Sequence, residues 1–232
     1  MSVDVELVSC ILSTRDRPHF VRQLLRCFGR QTYANRELLI ADAGDEPVDA
    51  LCAGVPMVRH LRAEAGASYA ACLNLAAEHA NGTVLQMMDD DDYYAPAFLE
   101  RSVSELQSAD GDNVVAAWDC FLVMLRGEDD LRFSGHGWAA GGTLCFRRAL
   151  WERTPFREGH ADHHFLSETA ATIAQIHEPS LYVLYRHGTN NWQDLRGTGV
   201  DAYFRSLPPS GSTLRDVVHP DDVPFYEELG RA

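Results

Sequence analysis

The sequence contains no apolar run close to the roughly 20 residues that a helix needs to cross a bilayer. Its first residues also lack the basic start of a secretory signal, since Asp4 and Glu6 precede a short apolar run. These absences predict a cytoplasmic protein without a transmembrane segment.

Cysteine pairs of the C-x-x-C type are also missing, which excludes a zinc knuckle or a redox motif of that spacing. Cysteines in a cytoplasmic protein are expected to be reduced. We therefore expect free thiols at Cys10, Cys27, Cys52, Cys72, Cys120 and Cys145.

Basic side chains are scarce, because 20 Lys and Arg residues stand against 34 Asp and Glu residues and give a formal net charge of −14. Binding to the phosphate backbone of nucleic acid needs a concentrated basic face, and the sequence does not show one. Nucleic acid is therefore excluded as a partner, and an anionic substrate would need a cation to mediate its binding.

With 46% hydrophobic and 23% charged residues, the chain has the composition of one globular domain with a buried core. The first half alternates apolar runs typical of strands with segments whose apolar residues recur at helical spacing. This alternation predicts βαβ units and a mostly parallel sheet with helices on both faces. The predicted strands are residues 6–12, 37–41, 57–61 and 83–88, and the predicted helices are residues 18–29, 68–79 and 96–106.

The second half is less regular. A helix is predicted to begin at Asp162 or His164 and to run to residue 173. Residues 208–212 have the proline, glycine and serine content of a turn or linker, and a terminal helix is predicted over residues 221–229. Further strands are predicted at residues 114–118, 121–125, 143–147 and 181–185.

Four consecutive aspartates, Asp89 to Asp92, follow the predicted strand at residues 83–88. Open α/β sheets bind ligands at the carboxyl ends of their strands. Unit charges about 4 Å apart repel by about 4 kcal/mol at an effective dielectric of about 20, so crowded carboxylates need a cation or full solvation. In an extended segment Asp89 and Asp91 would point to one side, and Asp90 and Asp92 to the other. An exposed acidic turn before the next helix is the alternative, but the position directly after an apolar strand favours a metal site.

Several short strings of residues follow one another along the chain in a characteristic order. They are Val8 to Pro18, Gln31 to Tyr33, Glu37 to Asp42, Asn74 with Gly82, Met88 to Tyr94 with Pro96, Gly141 to Arg147, Ala161 to Leu166 and Tyr185 to Asn190. Their order and spacing together, over residues 6–192, resemble the inverting family 2 glycosyltransferases of the GT-A fold.

The resemblance implies an α/β fold of GT-A type, with a Rossmann-like, mostly parallel central sheet flanked by helices. It implies a single domain over residues 1–205, with a nucleotide-binding half at residues 1–110 and a smaller acceptor-binding half at residues 111–205. Residues 206–232 are then a C-terminal tail with a helix.

The resemblance also implies roles for individual side chains. Asp91 would ligate a divalent metal, Mn²⁺ or Mg²⁺, that bridges the diphosphate of the donor, and His187 would complete the metal shell. Asp162 matches the catalytic base. The residues implied in donor or nucleotide binding are Thr14, Arg15, Arg17, Asp42, Asn74, Asp89, Asp90 and Gly142.

Residue types alone leave other roles open at three of these positions. Asp42, just before Gly44, is equally typical of a turn residue. His187 is a lone histidine after an apolar strand, which is more often structural or exposed. Asp162 is a residue type that often caps the N-terminus of a helix.

Two positions depart from the family pattern. Leu73 stands where the family usually has Arg before the central Asn, so a contact with the donor is lost there or supplied elsewhere. Ala161 replaces the Glu of a Glu-Asp pair, which leaves Asp162 as the matching carboxylate, with Glu158 nearby as the alternative base.

We therefore predict an enzyme that transfers a sugar, with inversion, from a nucleotide-diphosphate sugar to a saccharide or other hydroxyl acceptor, with a UDP-sugar as the expected donor. Trp138 and Trp192 are predicted either to stack on a sugar or to pack in the core. The sugar, the base, the acceptor and homo-oligomer formation stay open.

Two other classes compete with this prediction. A sugar nucleotidyltransferase would need a glycine-rich phosphate loop, and residues 13–18 contain no glycine. A non-catalytic sugar-nucleotide-binding module stays open because of Leu73 and Ala161. Dinucleotide-dependent chemistry is excluded because no G-x-G-x-x-G string is present.

Overall fold

The computed structural model describes residues 6–195 and 198–231, and these residues form a seven-stranded sheet, a five-stranded sheet and a two-stranded ribbon. The strands are β1 (Val8–Thr14), β2 (Arg36–Asp42), β3 (Val58–Arg62), β4 (Val84–Met88), β5 (Tyr93–Tyr94), β6 (Val114–Trp118), β7 (Leu122–Leu125), β8 (Asp130–Phe133), β9 (Cys145–Arg147), β10 (Thr172–Ile176), β11 (Tyr182–Arg186), β12 (Asp194–Leu195), β13 (Thr198–Gly199) and β14 (Pro209–Thr213). The helices are α1 (Pro18–Gly29), α2 (Asp49–Cys52), α3 (Tyr69–Glu78), α4 (Phe98–Ser108), α5 (Arg148–Arg153), α6 (Ala161–Glu168), α7 (Val200–Ser206), α8 (Leu214–Val217) and α9 (Val223–Arg231).

The larger sheet has the strand order β10-β6-β9-β4-β1-β2-β3. Its neighbouring strands pair in parallel except β9, which runs antiparallel to both β4 and β6. The smaller sheet has the order β14-β8-β7-β11-β5. The predicted mostly parallel central sheet flanked by helices is confirmed, as are the βαβ units of the first half.

Alternating side chains of β1 pack on opposite faces of the larger sheet. Cys10 and Leu12 join the hydrophobic cluster that includes Val21 and Leu24 of α1, whereas Ile11 joins the cluster with α3. All of these side chains are fully buried, and burying one large aliphatic side chain contributes about 1.5 to 3 kcal/mol. The helical apolar spacing after Pro18 therefore covers one face of the sheet.

The segment after α6 differs from the prediction. The helix ends at Glu168 instead of residue 173, and Ala170 has a positive φ of 47° that breaks the helical path. The chain then forms β10, which pairs in parallel with β6 at the edge of the larger sheet. Backbone pairing with a strand about 60 residues away in sequence outweighs the local helical pattern.

The C-terminal region packs against the rest of the protein. Residues 208–212 were predicted as a turn or linker, but β14 covers Pro209–Thr213 and pairs antiparallel with β8. The predicted terminal helix is confirmed as α9. Tyr226 of α9 is buried, and its hydroxyl donates a hydrogen bond of 3.3 Å to the backbone oxygen of Asp92.

The six cysteines are free, as expected, and the structure shows that all of them are buried. Among the described helices, none combines the length and the apolar character needed to cross a membrane.

Candidate functional site

A cleft of about 1320 Å³ opens at the carboxyl ends of β1 and β4, the position at which α/β sheets bind ligands. One wall consists of residues 13–17, which lead from β1 into α1, and of the aspartate run. The other wall consists of residues 138–142 and of the start of α6. Residues 190–193, which follow β11, also line the cleft.

The aspartate run bends directly after β4, so that its carboxylates reach different partners. Asp90 accepts hydrogen bonds from the Thr14 hydroxyl (2.7 Å) and from Arg17 Nη1 (3.0 Å). The same Arg17 nitrogen lies 3.1 Å from Asp91 Oδ2. The predicted alternation, with Asp90 and Asp91 on opposite sides, is therefore wrong, because residues 90–92 form a bend instead of an extended strand.

Asp89 points toward the far wall of the cleft. Its carboxylate accepts a 3.0 Å hydrogen bond from the Tyr69 hydroxyl, and its backbone N–H donates to the Tyr94 hydroxyl at 2.7 Å. Gly142 lies against the other carboxylate oxygen so closely that a Cβ at this position would clash with it. Gly142 therefore allows the carboxylate and the backbone of the opposite wall to approach each other.

Asp92 has a structural role. It is buried, and its carboxylate accepts hydrogen bonds from the Tyr182 hydroxyl (2.5 Å) and from the backbone N–H of Tyr185 (2.9 Å). These bonds attach the aspartate run to β11, which leads to His187. Asp92 thereby positions the other aspartates beside the histidine.

Crowding affects the ionisation of the run. Burial, followed by repulsion from Asp91, raises the pKa of Asp89 to about 7 and that of Asp90 to about 6. The same two causes raise the pKa of Asp92 well above its ordinary value. The raised pKa values mean that ionising these carboxylates together is unfavourable even with Arg17 beside them, so a bound cation would stabilise their ionised forms.

Asp91 and His187 provide the donor set for such a cation. His187 Nε2 lies 2.8 Å from Asp91 Oδ2, and the Thr189 hydroxyl contacts His187 Nδ1 at 2.9 Å, which orients the ring. Asn190 Nδ2 donates to the same Asp91 oxygen at 3.2 Å. One carboxylate and one imidazole suit a divalent metal whose remaining ligands are phosphate oxygens and water, so the residues present fit the group.

Asp162 lies in the first turn of α6, on the wall of the cleft formed by residues 138–142 and the start of α6. The helix N-cap is His160, so the N-cap alternative for Asp162 is wrong. The carboxylate contacts Gly141, where a Cβ would clash with it, and it makes no hydrogen bond or ion pair within residues 6–195 and 198–231.

The competing carboxylate of Glu158 is engaged elsewhere. It accepts a hydrogen bond from the Ser68 hydroxyl, the side chain that also caps α3 through the N–H of Ala71. Glu158 does not line the cleft, whereas Asp162 does.

The structure brings most of the predicted site residues together and leaves three away from the lining. The residues that line the cleft are Thr14, Arg15, Arg17, Asp89, Asp90, Asp91, Gly142 and Asp162. His187 lies behind Asp91, while Asp42 and Asn74 lie elsewhere.

Asp42 is fully buried at the end of β2. Its carboxylate accepts hydrogen bonds from the N–H groups of Gly44 (2.9 Å) and Val48 (3.2 Å). His60 Nε2 and Arg62 Nη1 lie 3.2 and 3.3 Å from the same carboxylate. These partners match the turn-residue alternative that the sequence left open.

Asn74 connects α3 to the segment after α5. Its amide nitrogen donates to the Phe156 carbonyl, and its amide oxygen accepts from Trp151 Nε1 and from the Phe156 N–H, at 2.9 to 3.0 Å. Leu73 beside it is fully buried in the core. Neither side chain lines the cleft, and a role of Asn74 in donor binding stays a prediction.

Aromatic side chains also line the cleft. Trp138 and Trp192 both line the cleft, with ring centroids 6.1 Å apart, and Trp138 also packs on Phe121 and Phe204. Both predicted roles are therefore compatible with their positions. Tyr69 and Asn190 are cleft residues that the sequence analysis missed, because no local spacing distinguishes them from other polar helix and loop residues.

Comparisons with known proteins agree with this geometry. Residues 9–173 match the family model of Glycosyl transferase family 2. Over 106 residues the chain is 30% identical to the uncharacterized glycosyltransferase YwdF of Bacillus subtilis strain 168. That match covers 44% of this chain and 39% of the relative, so the chain spans about two fifths of the relative's length.

Solved structures show the same fold. The mannosyltransferase PcManGT from Pyrobaculum calidifontis, in complex with GDP-Man and Mn²⁺, matches with a TM-score of 0.63 at 17% identity, over 82% of this chain and 60% of that one. TarS 1-349 of S. aureus, in complex with UDP-GlcNAc, matches with a TM-score of 0.61 at 15% identity, over 78% and 58%. These likenesses establish the GT-A fold. Because the family match extends from β1 to β10 and includes the aspartate run, the chain belongs to glycosyl transferase family 2.

Proposed function

We propose that this chain is a metal-dependent, inverting glycosyltransferase that moves a sugar from a nucleoside-diphosphate sugar to a hydroxyl acceptor. One observation carries the proposal: Asp91, which His187 contacts from behind, and the unpaired carboxylate of Asp162 line the same cleft. Anchoring of a leaving diphosphate and acceptance of a proton are the two tasks of such a transfer.

The donor side contains the positive and metal-binding groups. A divalent metal such as Mn²⁺ would supply charge neutralisation for the leaving diphosphate, and Asp91 and His187 would hold it. Arg17, which already contacts Asp90 and Asp91, adds a fixed positive charge beside the same position. The need for a cation is strong in a protein with a formal net charge of −14.

The size of the cleft supports the presence of two substrates. Its volume of about 1320 Å³ exceeds the range of about 300 to 1,000 Å³ that is typical of a site for one small molecule. Thr14 and Arg15, at the end of β1, are the proposed nucleoside contacts. The proposed donor is a UDP-sugar, and the solved relatives contain UDP-GlcNAc in one case and GDP-Man in another.

Asp162 is the proposed general base. The acceptor hydroxyl oxygen forms a bond to the anomeric carbon from the side opposite the diphosphate, while the bond from that carbon to the diphosphate oxygen breaks. The hydroxyl proton passes to the Asp162 carboxylate, and the configuration of the anomeric carbon inverts. General-base catalysis of this kind contributes about 10² to 10⁴ in rate.

A thermal-shift screen tests the proposal directly. UDP, GDP and their sugar conjugates are added with and without Mn²⁺, and a ligand at about 100 times its dissociation constant adds about 2.7 kcal/mol to the free energy of unfolding. The best donor is then assayed for diphosphate release with candidate saccharide acceptors. Donor binding without release, for every acceptor and for water, would favour the non-catalytic module instead.

A further inference from the structure

A second cluster of ligating side chains lies outside the cleft, at the edge where β6 and β10 end. Asp119 and Cys120 follow β6, and His177 follows β10. Because β6 and β10 pair in parallel, Asp119 and His177 leave the sheet side by side, and the N–H of Asp119 donates to the Ile176 carbonyl at 3.1 Å. His136 joins them from the loop that follows β8. None of the four lines the cleft.

The four side chains converge on a volume the size of one ion. Asp119 Oδ2 lies 2.5 Å from His136 Nδ1 and 3.0 Å from His177 Nδ1. One ligand atom from each of these residues and from Cys120 falls within 4.8 Å of all the others. The ligand atoms of a tetrahedral zinc site lie about 3.3 to 3.8 Å from one another. A movement of about 1 Å between the two most distant ligand atoms would therefore bring all four within bonding distance of one ion.

The two histidines are free to make that movement, because 64% of the His136 side chain and 59% of the His177 side chain are exposed. The carboxylate is held in place. Asp119 Oδ1 accepts hydrogen bonds from the Gly137 N–H (2.8 Å) and from Gln175 Nε2 (3.2 Å), which leaves Oδ2 directed at both imidazoles. Outer hydrogen bonds that orient a ligand in this way are a regular feature of metal sites.

We propose that Asp119, His136 and His177, with Cys120 as the fourth donor, bind a divalent transition metal of the Zn²⁺ class. Two imidazoles, one carboxylate and one thiolate are the ligands that Zn²⁺ prefers, whereas Mg²⁺ and Mn²⁺ prefer oxygen ligands. The site therefore differs in donor chemistry from the Asp91 and His187 pair, which includes no sulfur.

A metal ion bound at this site would stabilise one wall of the cleft. The Asp119 carbonyl accepts a 3.1 Å hydrogen bond from the N–H of Trp138, and Trp138 lines the cleft. His136 and Gly137, which contact the Asp119 carboxylate, directly precede that tryptophan. An ion that links Asp119 to His136 thus closes a ring of contacts around the Trp138 segment.

A hydrogen-bonded triad without an ion is the competing explanation. In that case each histidine donates its Nδ1–H to the shared carboxylate oxygen, and Cys120 is only a buried thiol. The two explanations differ in whether the protein takes up Zn²⁺ at this place, so direct metal binding separates them.

In the experiment, metal is first removed from the full chain, and Zn²⁺ is then titrated in by calorimetry. The chain carries the Asp91→Asn substitution, which suppresses binding at the aspartate run. The double variant His136→Ala, His177→Ala removes two exposed ligands without disturbing the core. We expect one Zn²⁺ to bind and the dissociation constant to rise at least about tenfold in the double variant. His219→Ala is the matched control, since its ring also faces a carboxylate, that of Asp221 at 3.7 Å, and it should bind Zn²⁺ unchanged.

Two readouts that do not depend on activity complete the test. Co²⁺ in place of Zn²⁺ should give tetrahedral d–d absorption with a thiolate charge-transfer band, and Cys120→Ser should remove that band. Zn²⁺ should also change the tryptophan fluorescence of the parent chain, but not that of the Trp138→Phe variant. Equal Zn²⁺ affinity in the parent and in the double histidine variant would overturn the proposal, and a missing thiolate band would overturn the part assigned to Cys120.

Discussion

The imidazole of His187 lies 2.8 Å from the carboxylate of Asp91, although 96 residues separate the two in the chain. Asp92 makes this contact possible, because its hydrogen bonds to Tyr182 and Tyr185 attach the aspartate run to β11. The strand leads directly to His187, which lies behind Asp91. The proposed metal site therefore depends on Asp92, a buried aspartate whose carboxylate is engaged by β11.

Removing the Asp91 carboxylate should abolish metal-dependent donor binding. We expect Asp91→Asn to bind a nucleoside diphosphate with the same affinity in Mn²⁺ and in EDTA. The parent chain should lose at least about tenfold in affinity in EDTA, because the cation that neutralises the diphosphate is removed. Calorimetry measures both affinities. Asp112→Asn, at an exposed position outside the cleft, is the control and should behave as the parent. Equal affinities of the parent in both buffers would contradict the prediction.

Replacing the proposed base should lower turnover without unfolding the protein. Because His160 and not Asp162 is the N-cap, Asp162→Asn removes a proton acceptor and leaves the cap in place. We expect turnover to fall between about 10² and 10⁴, with donor affinity and melting temperature nearly unchanged. Glu158→Gln is the control, and its turnover should fall less than about tenfold. The reverse pattern would transfer the role of base to Glu158.

Asp42→Ala should lower the free energy of unfolding more than it lowers the affinity for the donor. The substitution leaves the N–H groups of Gly44 and Val48 without their acceptor in a fully buried position, and each lost hydrogen bond to a charged group costs about 1.5 to 3 kcal/mol. Urea unfolding measures the loss, and calorimetry on the folded fraction measures donor binding. A variant of unchanged stability that binds the donor weakly would instead support the nucleoside contact that the family resemblance implies.

The contact of α9 with α1 should be sensitive to acid. Although burial opposes ionisation, hydrogen bonds from Arg30, Gln23 and Arg26 lower the pKa of Asp222. A lowered pKa means that the ionised form stabilises the fold above the ordinary value of about 3.8, and that this stability disappears as the pH falls through the lowered value. Asp222→Asn should therefore cost about 2 kcal/mol at pH 7 and less below pH 4.

Urea unfolding of the parent and of Asp222→Asn between pH 3 and pH 7 measures that difference. The neighbouring Asp221 offers the matched control, since its side chain is 67% exposed and that of Asp222 is 1% exposed. Asp221→Asn should change the free energy of unfolding by no more than about 0.5 kcal/mol at any pH. A cost for Asp222→Asn that stays constant from pH 7 to pH 3 would show that its charge does not contribute.

The elements of the first half could be predicted because their burial imposes a local pattern. A strand covered on both faces must be apolar throughout, as β1 and β4 are, and a helix that covers a sheet must repeat its apolar residues at helical spacing, as α1 does. The aspartate run could be recognised for a related reason, since charge directly after such a strand must lie at the carboxyl edge of the sheet. Family resemblance then supplied the expected roles.

The alternation of strands and helices, the place of the acidic edge and the shortage of positive charge that makes a cation necessary all follow from the order of the residues alone. Three further features depend on how the chain folds: Asp90 and Asp91 share Arg17, the Asp42 carboxylate is buried, and Asp119 contacts His136 and His177. The physical reason is that periodicity records which face of an element is buried, whereas the partner of a polar side chain depends on strand order and on bends that distant segments impose. The same reason explains β10 and β14, whose pairing with β6 and β8 no local pattern could reveal.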